Sequence, residues 1–190
     1  MIRCFVAIFP PRSLCGEIVA IQNRLSHKNA DIKWVEAHNL HFTLHFLGDV
    51  KKEHIFNISK VLKDCASDFT RFSLGLKGIG AFPHLKNPRV LWVGVGKGRR
   101  QLENLMATIG ENMKLEGYPS DNKKPLSHLT IGRIRSIRGS NPFPCLIGND
   151  FEIKGEMEVE SIQFTASRLT TKGPIYTPID IFPLKLFNER

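Results

Sequence analysis

The chain has 190 residues, 42% of them hydrophobic, which is enough for one globular domain or two small lobes on a shared core without covalent staples. Its 27 Lys and Arg against 18 Asp and Glu give a formal charge of +9, favouring a polyanionic partner, nucleic acid ahead of a lipid surface. Cys4, Cys15, Cys65 and Cys145 include no C-x-x-C pair, and the apolar run Cys4 to Phe9 stops at Pro10-Pro11, which argues against a zinc knuckle, a thioredoxin-like site, a membrane span and a secretory signal. The cysteines read as buried free thiols, and the protein as cytoplasmic and without a membrane partner.

Arg3 to Phe9 has the composition of a first strand, and Pro11 opens a helix in which Leu14, Ile18, Ile21 and Leu25 recur at helical spacing. Ile32 to Val35 and His41 to Leu47 are extended in pattern, Gly48-Asp49 supplies a turn, and Ile55, Ile58, Val61 and Leu62 mark a second helix. Phe72 to Ile79 and Val90 to Val95 read as strands around a Pro-containing loop, and Leu102, Leu105, Ile109 and Met113 mark a third helix from about Arg100 to Leu115, ended by Gly117. A polar loop from Tyr118 to Lys124 precedes a short strand beginning at His128, and Arg138 to Pro144 is a Gly/Ser/Pro-rich stretch. Phe151 to Val159 and Ser161 to Arg168 suggest a strand pair, and Ile175 to Leu184 a last strand. Strands interleaved with three helices predict an α+β fold of mostly antiparallel sheet, with residues 1–190 forming a single domain. Basic residues fall in short clusters, Lys51-Lys52, Arg99-Arg100, Lys123-Lys124 and Arg133/Arg135/Arg138, a pattern of folded basic surface and not of a disordered tail.

Two short segments stand out. In His41-Phe42-Thr43-Leu44-His45-Phe46, period-2 alternation puts Phe42, Leu44 and Phe46 on a core face and His41, Thr43 and His45 on the other; His128-Leu129-Thr130-Ile131 repeats the pattern. One His-x-Thr triplet is weak, since chance supplies about 0.3 of them in a chain of this composition; two in strand context carry more. The bland alternative is a pair of ordinary half-exposed strand residues. Paired imidazoles suit phosphoryl chemistry on RNA: one removes a proton from water while the other, protonated, supplies one to the departing oxygen. A Thr hydroxyl two residues along can donate to a non-bridging phosphate oxygen. A strained cyclic phosphate needs no metal-generated hydroxide, so neither metal nor other cofactor is expected. The competing zinc reading would place His38, His41 and His45 on one face of a helix, but the segment lacks the Glu of H-E-x-x-H and its Phe and Thr content favours a strand.

At these residues the sequence resembles the two-histidine phosphoesterase superfamily, specifically the RNA 2′,3′-cyclic phosphodiesterases, also named 2′-5′ RNA ligases. The similarity extends from Arg3-Cys4-Phe5-Val6-Ala7-Ile8 through Lys33-Trp34-Val35, Asn39 to Gly48 and Phe82-Pro83 to Gly94, and then through His128 to Arg133, Ser167 to Gly173, Tyr176 and Phe182-Pro183-Leu184. The resemblance implies a bilobal fold of two pseudo-symmetric sheets with flanking helices around a central cleft. It implies that His41 donates a proton to the ribose 3′ oxygen, that His128 activates water, that Thr43 and Thr130 hold the phosphate, and that the product is a 2′-phosphate end. By the same resemblance the partner is RNA with 2′,3′-cyclic phosphate ends, such as tRNA fragments, with ligation as the reverse reaction and a monomer as the working unit. Arg133 matches a basic residue that often closes the second motif, yet strict alternation puts it on the face away from His128, leaving a phosphate contact and an ion pair both open. His45 is expected at the cleft edge, and Tyr176 either stacks on a base or packs. Two alternatives are a non-catalytic basic RNA-binding module and the same chemistry on another cyclic phosphate or oligonucleotide.

Overall fold

The computed structural model describes residues 1–119, 126–147, 153, 155–171 and 173–186. The Lys123-Lys124 pair and the start of the strand expected from Phe151 lie outside the described residues. The elements in order are β1 (Ile2–Ile8), α1 (Arg12–Leu25), β2 (Ala30–Trp34), β3 (Phe42–Val50), α2 (Ile55–Ser67), β4 (Phe72–Phe82), β5 (Val90–Val95), α3 (Arg99–Leu115), β6 (His128–Ile137), α4 (Phe143–Leu146), β7 (Glu156–Val159), β8 (Ser161–Leu169) and β9 (Pro174–Pro183). The fold is α+β, and among the described residues the pairings between these strands are antiparallel, in keeping with the mostly antiparallel sheet expected.

The helices form where apolar side chains recur every three or four residues. Leu14, Ile18, Ile21 and Leu25 of α1, and Leu102, Leu105, Ile109 and Met113 of α3, are all buried, each contributing roughly 1.5–3 kcal/mol of transfer free energy. They share one core with Cys4, Val6 and Ile8 from β1 and Leu91, Val93 and Val95 from β5. α1 packs on β6, α3 packs on β3, and α2 lies against β8, β9 and α3.

Strand order is β7-β4-β5-β6-β3-β1-β8-β9, with β2 added to β6. Two antiparallel arrays, β7-β4-β5-β6 and β3-β1-β8-β9, thus meet where β3 touches β6, and there the only paired residues among those described are Phe42 and Leu129. The two expected sheets are therefore joined edge to edge at one point, and that point is the middle residue of both His-x-Thr triplets.

Three local expectations are corrected. Gly48-Asp49 is not a turn: β3 continues through it to Val50, opposite Cys4 and Arg3, with Gly48 in the left-handed region at φ 73°. The described part of the first expected strand, β7 (Glu156–Val159), does not pair with β8, because Glu160 alone separates them and a hairpin needs at least two loop residues; β7 pairs with β4, and β8 with β1 and β9. Of the four cysteines, Cys4 and Cys65 are buried and Cys15 partly so, but Cys145 is exposed. Burial, with the Asp49 charge adding to it, pushes the Cys4 thiol up to about 11.

Candidate active site

The pairing of Phe42 with Leu129 brings together triplets 87 positions apart in the chain. Because the strands run antiparallel, His41 lies toward the Thr130 side and Thr43 toward the His128 side. For regular strands, two residue rises and one strand spacing put the histidine Cα atoms roughly 8 Å apart on the diagonal. Phe42 and Leu129 are buried, at 1% and 0% exposure, so the alternate residues His41, Thr43, His128 and Thr130 face the opposite side, where all four line one cavity of about 650 Å³.

The two imidazoles are held by the same device. Nδ1 of His41 donates to the carbonyl of Asn39 and Nδ1 of His128 to that of Leu126, each at 2.7 Å and each two residues back. A carbonyl only accepts, so Nδ1 must carry the hydrogen, and Nε2 is left as a lone pair in the neutral ring or an N–H in the cation. Aromatic walls fix the ring planes. His41 packs against Phe5, Tyr176 and Phe9 at 4.9, 5.2 and 5.5 Å, and His128 against Phe82 and Trp92 at 5.1 and 6.2 Å. The Trp92 ring itself lies across Gly80, where a Cβ would overlap it. Burial is the main cause that holds both imidazoles below the ordinary histidine range. The carbonyl bonds oppose it, and for His41 the neighbouring His128 charge pushes further down.

Each triplet is followed at once by a β-bulge, which the period-2 reading missed. Along β3, Thr43 is opposite Ala7 and His45 opposite Val6, so Leu44 is the extra residue. Along β6, Thr130 is opposite Trp92 and Gly132 opposite Leu91, so Ile131 is extra. One extra residue reverses the facing of those that follow it up to the next register shift, which on β3 falls at Leu47. His45 is consequently not at the cleft edge: it is 3% exposed, its Nε2 bonds the Tyr118 carbonyl at 2.9 Å, and burial lowers its pKa against that bond. Phe46, expected in the core, faces the cavity instead. Arg133, expected to face away from His128, lines the cavity with it, and among the described residues no carboxylate lies within ion-pair distance of it. The bulge carbonyl of Ile131 accepts from the Val35 N–H at 3.0 Å and from Nε2 of Gln22 at 2.9 Å, so a buried polar side chain on α1 satisfies it. Gly132 follows, with Trp34 so close that a Cβ would sit 2.7 Å from the indole.

Tyr176 packs edge-on against Phe5 and His41 while half-buried in the cavity wall. Burial raises its phenol pKa, and the charges of Arg133 and Arg3, which line the same cavity, pull it back. Arg3 and Lys33 also line the cavity, and its acidic contributor, Glu36, lies 3.3 Å from His38 at the exposed rim. The zinc reading of His38, His41 and His45 requires one continuous helix, whereas His38 lies in a 3-10 turn (Ala37–Asn39), β3 begins at Phe42, and the bulge turns His45 away from the cavity. Among the described residues no group of three or more His, Cys, Asp or Glu is placed to hold a metal ion, and no helix is long and apolar enough to cross a membrane.

The family model for LigT-like phosphoesterases matches residues 8–92. The RNA 2′,3′-cyclic phosphodiesterase of Aquifex aeolicus is 35% identical over 185 residues, covering 97% of this chain and 98% of that one. The protein of the same name from Archaeoglobus fulgidus is 37% identical over 182 residues, covering 95% and 99%. Among solved structures, a protein of Thermus thermophilus superposes with a TM-score of 0.81 at 24% identity over 98% of this chain and 100% of that one. LigT of E. coli complexed with 3′-AMP gives 0.78 at 24% identity over 97% and 98%.

Proposed function

The chain belongs to the LigT-like phosphoesterases, and from that premise we propose that it hydrolyses 2′,3′-cyclic phosphate ends of RNA to 2′-phosphate ends by paired histidine acid–base catalysis. The observation that carries the reading is the convergence of His41/Thr43 and His128/Thr130 on one cavity, each imidazole with Nδ1 tied to a carbonyl and Nε2 unencumbered. The curated relatives named as RNA 2′,3′-cyclic phosphodiesterases supply the substrate class.

In this reaction Nε2 of His128 takes a proton from water as its oxygen attacks phosphorus. The bond from phosphorus to the 3′ oxygen breaks, and His41 delivers its proton to that oxygen, leaving a 2′-phosphate and a 3′-hydroxyl. Thr43 and Thr130 donate to the non-bridging oxygens, and Arg133, without a carboxylate partner among the described residues, balances their charge. Tyr176 holds the His41 ring edge-on. With the 5′-hydroxyl of a second RNA in place of water, the same step joins the two ends through a 2′-5′ linkage, the 3′ oxygen again leaving with the proton from His41. Both arrays contribute to the site, so residues 1–190 work as one two-lobed domain and a monomer suffices. Free thiols suit a cytoplasmic enzyme, and cleaved tRNA fragments suit a basic cleft.

The deciding experiment is product analysis on an oligonucleotide ending in a 2′,3′-cyclic phosphate. The expected product is a 2′-phosphate, formed equally well with EDTA present; a 3′-phosphate product overturns the role of His41 as donor to the 3′ oxygen, and zinc-restorable loss with EDTA overturns the metal-free route. A basic RNA-binding module without catalysis would give no product at all.

The pH dependence follows from the burial of the two rings. Burial holds both imidazoles below the ordinary histidine range in the free protein, so the bell of kcat/KM should lie on the acid side of that range. A bound phosphate anion between the rings stabilises the imidazolium, so the kcat bell should be displaced to higher pH. Rate measurements from acid to mildly alkaline pH check both, and a kcat/KM maximum above neutrality would contradict the burial argument.

A further inference from the structure

Gln22 is a polar side chain on the buried face of α1, among Leu14, Ile18, Ile21 and Leu25, and is itself 5% exposed. An amide in that setting is costly unless its N–H groups find acceptors. Its Nε2 finds two, the carbonyl of Val35 at 2.8 Å and that of Ile131 at 2.9 Å. Val35 directly follows β2, Ile131 is the extra residue of the β6 bulge, and the Val35 N–H donates to the same Ile131 carbonyl at 3.0 Å. A bulged residue falls out of the regular ladder, so its carbonyl needs donors from elsewhere, and α1 supplies one of them. The consequence falls two residues along the strand. Because Ile131 is extra, Arg133 pairs with Val90 on one side and Lys33 on the other and lines the cavity with His128 and Thr130. In an unbroken pleat it would face away from them.

Resting on the phosphodiesterase reading, we propose that Gln22 is a positioning residue for phosphate binding: by holding the Ile131 carbonyl it fixes the β6 bulge, and with it the face from which Arg133 meets the substrate's phosphate. Gln22 does not line the cavity and acts through Arg133. The tethers of the two imidazoles, at the Asn39 and Leu126 carbonyls, do not involve it.

The test is calorimetric binding of inorganic phosphate to the wild type, Gln22→Met, Arg133→Gln and the double variant, with turnover of a cyclic-phosphate-ended oligonucleotide measured on the same proteins. Methionine is close to glutamine in length and suits a helix but donates no hydrogen bond. Arg133→Gln should weaken phosphate binding by roughly tenfold, the loss of one charge-assisted contact. Gln22→Met should weaken it by a similar factor when Arg133 is present and not at all in the Arg133→Gln background. Independent effects would instead multiply to roughly a hundredfold in the double variant, and that result overturns the proposal. It is equally overturned by a Gln22→Met protein that melts earlier yet binds phosphate like the wild type, the behaviour of an amide that serves stability alone, or by an Arg133→Gln protein with unchanged phosphate affinity. Should Gln22→Met fail to fold, NMR of the folded proteins decides. The Gln22 side-chain amide signals should shift as phosphate is titrated into the wild type and stay in place in Arg133→Gln; no shift in the wild type overturns the coupling. No oligonucleotide turnover by the wild type overturns the phosphodiesterase reading, and the phosphate titrations still decide the role of Gln22.

Discussion

Alanine at His41 or at His128 is expected to lower kcat/KM on a cyclic-phosphate-ended oligonucleotide by about 10²–10⁴, the range for losing a positioned general acid or base. The two changes differ in their side effects. His41 is enclosed by Phe5, Phe9 and Tyr176, so its removal leaves a void among aromatic rings, whereas His128 rests against Phe82 and Trp92 on a more open side. Asparagine at either position offers a side-chain N–H toward the same backbone carbonyl without a titrating ring, and so separates lost chemistry from lost packing. Since the two rings act on one phosphate, the double variant should be little worse than either single one. Equal additive losses would mean that they act independently. The pH profile assigns the roles: a variant lacking the base loses the acid limb of the bell, and one lacking the acid loses the alkaline limb. Full activity in either alanine variant, with an unchanged melting transition, would remove the paired-histidine mechanism.

Thr43→Val and Thr130→Val are each expected to reduce kcat by about 10²–10³, the cost of removing a preorganised donor to a charged transition state. Valine matches threonine in shape and suits a strand, so stability should change little. The structural ground is that neither hydroxyl has a hydrogen-bond partner among the described residues, although both side chains line the cavity. Thr165 makes the contrast: it is fully buried and its hydroxyl accepts from Gln163 at 3.0 Å. Serine, which keeps the hydroxyl, should restore most of the activity at 43 and 130. An effect of the valine change on stability with no effect on kcat would reassign these residues to strand packing.

Local pattern was enough to locate the elements that define the fold class. The 3.6-residue recurrence of Leu14, Ile18, Ile21 and Leu25, and of Leu102, Leu105, Ile109 and Met113, identifies helices whose buried faces are those same residues. Alternation in the two triplets identifies the strands and puts Phe42 and Leu129 in the core with His41, Thr43, His128 and Thr130 on the opposite face. Such features depend on neighbours within a few positions, and burial of one face is sufficient to enforce them.

What followed Thr43 and Thr130 was not legible in that way. Whether Leu44 and Ile131 continue the pleat or bulge out of it is decided by the strands opposite, by Ala7 and Val6 for one and by Trp92 and Leu91 for the other, and by Gln22 of α1 reaching the Ile131 carbonyl. These partners lie tens of residues away in sequence. A single inserted residue reverses which face a side chain takes, so tertiary pairing alone sent His45 to the core and brought Phe46 and Arg133 to the cavity. The chain itself specifies the chemistry-bearing side chains and their local alternation; register across non-local strands, set by how the two arrays pack, decides which of their neighbours join them.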